Sequence, residues 1–421
     1  MELSKPVGSR PVPLPSRLPS LTGMRFISAA MVFLTHALGA GLFATAWLNA
    51  STTTLVVQGG WAAVVYFFVL SGFVLTYAQR SSDTTGMYLR RRILKIYPNY
   101  AITLIAALIL VSVVAKTAID GKIALVHFLL LQSYFPTMDV RIAFNSPAWS
   151  LSCEALFYLC FPLMARYIRR IRPERLWAWA GVIVAVTVAI PSLSKLLPEQ
   201  PLIPGFPMTE SQMWFVMQFP PVRMLEFVFG MILARIVMTG RRLPLGLGGS
   251  LALGVALYAL APLLPLSYTV VAIWIVPLGL IIAAGAAGDA KGRTSWIGSR
   301  PMVKLGEWSY AFYMWHYLIL IYARQWFGSP KGWSTPVGFL MLGVLFAITL
   351  GLSWLLFTLV ENPIMKRFAT PKRRRRGSPP PPPPPIEGPP AGSPAHTAAH
   401  PPATPEQAPA PVTSTAPSIA P

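Results

Sequence analysis

The feature that most constrains the fold is a series of long apolar runs along most of the chain. A helix needs about 20 apolar residues to cross a hydrocarbon core about 30 Å thick, and its backbone polar groups must be hydrogen-bonded within that core. The runs lie at residues 22–46, 58–79, 96–115, 148–166, 176–195, 219–239, 245–263, 268–287, 305–327 and 335–360. This pattern predicts an all-α integral membrane protein with about ten transmembrane helices.

The composition agrees with a membrane protein and argues against a nucleic-acid partner. Hydrophobic residues make up 54% of the 421 residues and charged residues 12%, whereas about a quarter of the residues in average soluble proteins are charged. The net charge of +21 arises from Lys and Arg that cluster at the ends of apolar runs and near the C-terminus. Such clusters orient membrane helices, so they are a weak argument for binding to nucleic acid.

The basic clusters predict the topology, because cytoplasmic loops of membrane proteins carry an excess of Lys and Arg. A cytoplasmic N-terminus followed by ten crossings places every strong basic cluster on the cytoplasmic side. The clusters are Lys5 to Arg17, Arg80 to Lys95, Arg166 to Arg175, Arg241 with Arg242, Lys291 to Lys304, and Lys366 to Arg376. A crossing by the short run 124–135 would reverse this order, so we expect a re-entrant or interfacial segment there on the external side. Both termini are predicted to be cytoplasmic.

Three segments of the chain differ in composition. Residues 1–20 are polar and contain several prolines, and residues 21–365 carry the apolar runs. Residues 366–421 begin with a basic run and continue in Pro, Ala, Ser and Thr, a composition that cannot bury a core. We therefore expect a cytoplasmic N-terminal segment, a ten-helix membrane domain and a disordered cytoplasmic tail. The basic start of the tail would attract anionic membrane lipid by about 1 kcal/mol per charge.

Ionisable residues inside the apolar runs are the candidates for function. A charged side chain at the bilayer centre costs about 2.5 to 3.5 kcal/mol on insertion scales, so residues of this kind are functional candidates. Arg25 and His36 are eleven residues apart in the first run, which places His36 about 16 Å further along a helix. If Arg25 lies at one membrane surface, His36 lies near the middle of the membrane.

The same argument adds a second histidine and a carboxylate. His316 is about 15 Å from the cytoplasmic start of the ninth run, and Glu154 is about 9 Å below the external surface in the fourth run. We expect the two imidazoles and the carboxylate to converge in the outer half of one cavity. There a carboxylate would fix the tautomer of a histidine and leave its other nitrogen free as a base.

Each of these residues also has a structural interpretation. Buried polar side chains in membrane bundles often join helices through hydrogen bonds worth about 0.6 kcal/mol on average. Glu154 could pair with a neighbour, and Arg223 and Glu226, three residues apart, could form an intrahelical ion pair. The cations from Arg90 to Lys95 would orient helices in any such protein. His127 lies near an interface and is expected to be structural.

Five motifs occur in an order that is typical of one family. They are Arg25-x10-His36, GWAAVVYFFVLSGFVLTY in the second run, RRILKIYP from Arg91 to Pro98, WSLSCEALFYL from Trp149 to Leu159, and SYAFYMWHY from Ser309 to Tyr317. Together they resemble the membrane-bound acyltransferase-3 family of bacterial O-acyltransferases, over residues 20 to about 365. The resemblance implies ten helices in the bacterial cytoplasmic membrane and acyl-CoA as the donor substrate. It also implies acylation of sugar hydroxyls on surface glycans, lipid-linked saccharides or glycosylated metabolites.

The resemblance further implies roles for individual residues. His36 would be the general base, and Glu154 and His316 are the other catalytic candidates. The candidate substrate-binding residues are Arg25, Ser71, Arg91, Arg92, Lys95, Trp149, Arg223 and Glu226. Of these, three cations would hold the phosphates of coenzyme A, namely Arg25, Arg92 and Lys95. No metal and no permanently bound cofactor is expected.

The chain departs from the family pattern at three places. Lys95 stands where arginine is usual, which keeps the charge but loses the bidentate fork of a guanidinium. Ala155 and Leu156 follow Glu154 where the family commonly has Glu and Gln, so a role for that polar pair is in doubt. Many members carry an extracytoplasmic hydrolase-like domain where this chain has its basic, proline-rich tail, so the chain is similar to the stand-alone members.

The residue types suit acyl transfer from a thioester. A thioester is already activated, so the enzyme must deprotonate an alcohol, stabilise the oxyanion and orient two substrates. A neutral histidine suits the first task. The acyl group would pass along Phe67, Phe68, Ser71 and Gly72 of the second run. Since Ser71 has no base adjacent in sequence, direct transfer is favoured over an acyl-serine intermediate.

Two other classes of protein fit parts of the pattern. A proton-coupled secondary transporter would also place His36, His316 and Glu154 near the midplane, although the sequence lacks the internal repeat that transporters often show. A noncatalytic scaffold could present the proline-rich tail to SH3-like partners, but it would leave Arg25 and His36 unexplained. The sequence identifies neither the acceptor nor the length of the acyl group.

Overall fold

The computed structural model describes residues 17–79, 83–203, 206–293, 295–327 and 332–369, without the side chains of residues 46–55. Within these ranges the chain is helical and contains no β-strand. The α-helices are α1 (Pro19–Gly39), α2 (Ala46–Tyr77), α3 (Thr85–Val113), α4 (Gly121–Phe128), α5 (Met138–Arg141), α6 (Trp149–Arg170), α7 (Leu176–Ser194), α8 (Glu210–Met217), α9 (Pro220–Met238), α10 (Leu247–Leu260), α11 (Leu266–Thr269), α12 (Ile275–Ala290), α13 (Arg300–Phe327), α14 (Thr335–Leu356) and α15 (Asn362–Ile364).

Each predicted apolar run overlaps one of the longer helices. Among the described residues, six helical segments are long and apolar enough to cross a membrane, namely Pro19–Gly39, Val56–Tyr77, Thr85–Val113, Ser146–Arg170, Pro173–Ser194 and Thr335–Ala369. Two further apolar helices, α10 and α12, are shorter, and α9 and α13 are long but more polar. The fold is therefore that of a multi-pass, all-helical membrane protein, while ten crossings and the orientation of the termini stay predictions.

The first helix is shorter than the apolar run that predicts it. The run extends to residue 46, whereas α1 ends at Gly39. Gly41 has a φ of +66°, a left-handed conformation that favours glycine and ends helices. The chain then turns toward Trp333, whose backbone N–H donates to Leu42 O at 2.8 Å.

The observed ends of α1 change the expected depths of its two ionisable residues. Arg25 lies about 9 Å from the start of the helix, and His36 lies about 5 Å from its end. Arg25 therefore lies further from the helix start than expected for a residue at the membrane surface. His36 is nearer the far end of the helix than its middle.

The short run 124–135 does not form a crossing helix. Its only α-helix, α4, has 8 residues and a length of about 12 Å. The Asp120 carboxylate caps its start by accepting from Lys122 N at 2.7 Å. His127 is buried in α4, and its Nε2–H donates to Val140 O at 2.7 Å. These contacts agree with the structural interpretation of His127 and with a segment too short to span the membrane.

The centre of the membrane domain is a close crossing of α2 and α9. A Cβ atom on Gly72 would lie 1.9 Å from Phe227 O, and one on Gly230 would lie 1.9 Å from Val69 O. Small residues of this kind let the backbones of membrane helices touch. The crossing fixes the face that α2 turns toward the cavity described below.

We expect Gly230→Ala to destabilise the folded protein. The added methyl group would meet a backbone oxygen, which cannot rotate away, and overpacking of this kind costs about 1–3 kcal/mol. Thermal unfolding of the detergent-purified protein measures the effect. Gly181→Ala in α7 is the matched control, because a Cβ atom there has no neighbour within 4 Å. Equal stability of the two variants would contradict the steric argument.

The ends of the chain are only partly covered by these helices. Residues 1–16 and 370–421, which hold most of the predicted N-terminal segment and tail, lie outside the described residues. After α14 the chain continues through a π-helical segment at Phe357–Glu361, α15 and a second π-helical segment at Met365–Ala369. π-helical segments are frequent at functional sites, and the first of them supplies a carboxylate to the cavity region.

Candidate active site

A cavity of about 160 Å³ lies between α1, α2, α3, α6 and α13. A single water needs roughly 10–15 Å³ by the same measure, so the cavity can admit part of a substrate. The residues that line it are Arg25 from α1; Val64, Phe67, Phe68, Leu70, Ser71, Val74 and Leu75 from α2; Arg92, Lys95 and Ile96 from α3; Ser150, Leu151, Glu154 and Tyr158 from α6; and Ser309, Tyr310 and Tyr313 from α13.

The polarity of the cavity changes along its length. Its α2 residues extend from Leu75 to Val64, which is about 16 Å of helix. The cations of α3 lie at the level of Tyr310, whose hydroxyl donates to Ile96 O at 2.9 Å. One turn further along α13, the hydroxyl of Tyr313 meets Ser150 Oγ at 3.0 Å. The cavity therefore leads from a group of cations to an end lined by hydroxyl and apolar groups.

Two of these cations have no carboxylate partner. Among the described residues, neither Arg25 nor Arg92 forms an ion pair within 4 Å. Nε of Arg92 is buried without a hydrogen-bond partner, and the guanidinium lies 5.7 Å from the centroid of the Tyr88 ring. Unpaired guanidinium groups that face a cavity can bind a phosphate through paired N–H donors. Arg25 on α1 and Arg92 and Lys95 on α3 all line the cavity, and their use for an anionic donor stays a prediction.

Lys95 is held by a carboxylate that the sequence analysis missed. Its ammonium pairs with Glu361, and Asn99 Nδ2 donates to the other carboxylate oxygen of Glu361 at 2.5 Å. Glu361 is 1% exposed. It is separated from Lys95 by 266 residues, so only the fold reveals the pair. The available signal was a lone carboxylate at the end of the last apolar run.

We expect Glu361→Leu to lower stability by about 1–3 kcal/mol, because Lys95 and Asn99 would then keep donors without an acceptor. The cost stays below that of a fully buried pair because the Lys95 side chain is 30% exposed. Thermal unfolding in detergent tests this, with Lys95→Met/Glu361→Leu as the matched variant that removes both charges. A double variant less stable than Glu361→Leu would contradict this account of the pair.

Glu154 lines the cavity but does not contact a histidine. Its Oε2 accepts from the hydroxyl of Tyr158 at 3.1 Å, and that hydroxyl lies 3.4 Å from Ser71 Oγ. Within the described ranges, no hydrogen bond joins Glu154 to His36 or His316. The predicted carboxylate–histidine contact is therefore wrong, because α6 turns Glu154 toward the cations instead. Among the described residues, the hydrogen-bond neighbour of the Ser71 hydroxyl is Tyr158.

The side chains of His36 and His316 are in direct contact. His316 Nε2 lies 3.0 Å from His36 Nδ1, and the ring centroids are 5.0 Å apart. His316 is fully buried, whereas His36 is partly exposed. The prediction that they share one depth is confirmed by this contact. Neither histidine lines the cavity, so the predicted convergence of both imidazoles with Glu154 in one cavity is not observed. Since Tyr313 precedes His316 by three residues on α13 and does line the cavity, the histidine pair lies next to its uncharged end.

The structure keeps Arg223 and Glu226 out of the cavity. They are 1% exposed or less, and Arg223 Nε contacts Glu226 Oε2 at 2.9 Å. The guanidinium carbon of Arg223 lies 4.9 Å from the centroid of the Phe68 ring, behind the cavity wall. Neither residue lines the cavity, so the structure gives no support to their predicted contact with substrate. The intrahelical ion pair that was the structural alternative is confirmed.

Two other predicted substrate-binding residues also lie outside the lining. Arg91 points away on α3 and pairs with Asp83. Trp149 is buried at the start of α6 with its ring against Phe68, at a centroid distance of 6.1 Å. Trp149 therefore packs behind the cavity wall, and Arg91 is paired outside the cavity. In the part of the chain that the structure describes, no three His, Cys, Asp or Glu side chains come together as a metal site.

Comparison with known proteins gives the family. A family model described as an acyltransferase domain, that of acyltransferase family 3, matches residues 18–358. The chain is 39% identical over 360 residues to "Acyltransferase MdmB" of Streptomyces mycarofaciens, covering 83% of this chain and 92% of the relative. It is 26% identical over 316 residues to "Exopolysaccharide production protein ExoZ" of Rhizobium meliloti (strain 1021), covering 73% of this chain and 90% of the relative. No solved structure matches. The protein is therefore an acyltransferase that belongs to the acyltransferase-3 family.

Proposed function

We propose that the protein transfers an acetyl or another short acyl group from acyl-CoA to a sugar hydroxyl, with His36 as the general base. The acceptor would be part of a surface glycan, a lipid-linked saccharide or a glycosylated metabolite. The observation that carries this proposal is one cavity that has three cations at one end and a histidine pair beside the other.

The cations suit the donor. Coenzyme A carries phosphates at one end and a thioester at the end of a long extended arm. Arg25, Arg92 and Lys95 would bind the phosphates through charge-assisted hydrogen bonds. The arm would follow α2 toward Tyr313, which places the thioester at the uncharged end of the cavity. The apolar side chains on that path would exclude water and so protect the thioester from hydrolysis.

The histidine suits the reaction. His36 would take the proton of the acceptor hydroxyl as the oxygen attacks the thioester carbonyl. The new C–O bond forms, the C–S bond breaks, and the proton held by His36 passes to the departing sulfur. The hydroxyl groups of Tyr313 and Ser150 lie at the uncharged end, and each donates to Pro147 O at 3.0 Å. Either one would have to turn from that carbonyl to donate to the oxyanion.

The carbohydrate acceptor is supported by one relative and by the family resemblance. The Rhizobium relative is named for the production of an exopolysaccharide. The Streptomyces relative is named only as an acyltransferase, and it leaves the acceptor open. A sugar hydroxyl needs a base for attack on a thioester, and His36 would supply it.

The proposal includes a topology in the bacterial cytoplasmic membrane. The six apolar segments would be joined by α9, α10, α12 and α13 as further crossings, with both termini in the cytoplasm. The basic loops between α6 and α7 and between α12 and α13 would then face the cytoplasm. In this orientation the cations of the cavity lie toward the cytoplasm, where acyl-CoA is made.

Incubation of the purified protein with [14C]acetyl-CoA tests the proposal. An acyltransferase consumes the thioester and labels oligosaccharides released from the surface of cells that lack the gene. A proton-coupled transporter or a scaffold would leave the thioester intact. Mass spectrometry of surface glycans and glycosides from cells with and without the gene would then identify the acceptor through the lost acyl increment. Absence of both results would refute the proposed reaction.

A further inference from the structure

The contacts of the histidine pair restrict the tautomers of both rings. His316 is fully buried, and its Nδ1 lies 2.6 Å from Tyr313 O. Its Nε2 lies 3.0 Å from His36 Nδ1, and His36 Nδ1 also lies 3.1 Å from Val32 O. These contacts leave few ways to place the protons.

A backbone carbonyl oxygen only accepts hydrogen bonds, so Nδ1 of His316 must carry a hydrogen. A neutral imidazole has one N–H, which makes Nε2 of His316 an acceptor. The opposite assignment would require a doubly protonated, charged His316 without a carboxylate partner in a fully buried position, at a large desolvation cost. The Nδ1–H of His36 is therefore a hydrogen-bond donor. It is shared between His316 Nε2 and Val32 O.

This assignment fixes the reactive atom of His36. With the hydrogen on Nδ1, the lone pair is on Nε2. Among the described residues, both hydrogen bonds of His36 involve Nδ1, which leaves Nε2 free for an acceptor hydroxyl. His36 as a residue is partly exposed, and a substrate in the cavity would approach it past Tyr313.

We propose that His316 is the positioning residue of the base. It holds His36 with Nδ1 protonated and Nε2 free, and its acceptor nitrogen stabilises the imidazolium that forms when Nε2 takes a proton. This inference rests on the proposed acyl transfer. His316 thus has the part that the sequence assigned to a carboxylate.

His316 is not a proton relay. The proton from the acceptor hydroxyl moves to Nε2 of His36 and from there to the sulfur of coenzyme A. A proton passed on from Nδ1 of His36 would stop at His316. The Nδ1–H of His316 donates to Tyr313 O, and a backbone carbonyl does not take up a proton. His316 also connects the base to the donor cavity, because the same Tyr313 that accepts its hydrogen bond lines the cavity.

Solid-state NMR of the full-length protein in lipid bilayers, labelled with ring-15N histidine, tests the tautomers directly. The chain contains five histidines, and His127→Gln and His36→Gln serve to assign the signals. We expect His36 to be protonated at Nδ1 and unprotonated at Nε2, with its Nδ1–H close to His316 Nε2. A wild-type His36 protonated at Nε2 would overturn the proposal without any measurement of activity.

Kinetics of two variants test the function of the contact, with [14C]acetyl-CoA and oligosaccharides released from cells that lack the gene. His316→Phe removes the nitrogen that accepts the hydrogen bond of His36, and we expect kcat to fall about 10- to 100-fold, as for other residues that orient a reactive histidine, with the KM for acyl-CoA unchanged. His316→Gln offers a carbonyl oxygen near the position of Nε2, and we expect it to recover part of kcat. Equal loss in both variants, or an unchanged kcat in His316→Phe, would contradict the positioning role.

The design separates the two proposals. If the wild-type protein transfers no label, the proposed acyl transfer fails, while the 15N spectrum still decides the tautomers. If His316→Phe does not accumulate, His316→Gln and the wild-type spectrum remain decisive. A Gln variant that loses less than about tenfold in kcat supports the role of His316 as hydrogen-bond acceptor, and one that loses about tenfold or more contradicts it.

Discussion

Replacing His36 by alanine should abolish acyl transfer while the protein still inserts and accumulates. A positioned general base contributes about 10²- to 10⁴-fold to a rate, and without Nε2 no side chain in the contacts described here takes the proton. The measurement is acyl product formed from [14C]acetyl-CoA at matched protein levels. A variant as active as the wild type would refute the assignment of His36 as base.

Two controls separate this chemistry from structural damage. His36→Ala leaves the acceptor nitrogen of His316 without a donor, so His36→Gln, which keeps a polar side chain at the same place, should be as inactive but more stable. His127→Ala removes a buried histidine whose contact is with Val140 in the segment after α4. It should retain activity even where it lowers the unfolding temperature. Inactivity of all three variants would indicate loss of folding.

Replacing Arg92 and Lys95 together by glutamine should raise the KM for acyl-CoA strongly and change the acceptor KM little. Loss of charge-assisted contacts worth about 1.5 to 3 kcal/mol predicts a roughly 10- to 150-fold weaker donor interaction. The structure predicts that Arg92 and Lys95 contribute unequally to this increase in the KM for acyl-CoA. Arg92 has no carboxylate partner among the described residues, whereas the charge of Lys95 is partly balanced by Glu361. Arg92→Gln alone should therefore account for most of the increase.

The matched control is Arg90→Gln/Arg91→Gln, which removes two cations from the same part of α3 without touching the cavity lining. If these cations serve only to orient helices, both double variants should misinsert in an external-labelling assay. If Arg92 and Lys95 bind phosphate, only their double variant should change the donor KM. Correct topology with an unaltered donor KM would move the phosphate site elsewhere, with the basic cluster from Arg166 to Arg175 next to be tested.

The sequence by itself determined the class of fold, the helix positions and the family. These depend on local properties, since the length of an apolar run sets whether a helix can span a membrane, and the order of short motifs does not depend on packing. The spacing of Arg25 and His36 on one helix likewise follows from a rise of about 1.5 Å per residue. The equal depth of His36 and His316 was predicted in the same way, and the 3.0 Å contact between them confirms it.

The tertiary structure decided which of these residues face each other. Depth along a helix is set by residue number, but the direction of a side chain around the axis depends on how neighbouring helices pack. Glu154 was expected at a histidine and instead faces Tyr158, and Arg223 and Glu226 form an ion pair behind the cavity wall. Glu361 and Lys95 lie 266 residues apart, and only the packing of the π-helical segment Phe357–Glu361 against α3 brings them together. Charged side chains in a membrane must find a partner or a cavity, and the packing of the helices determines which of the two each one has.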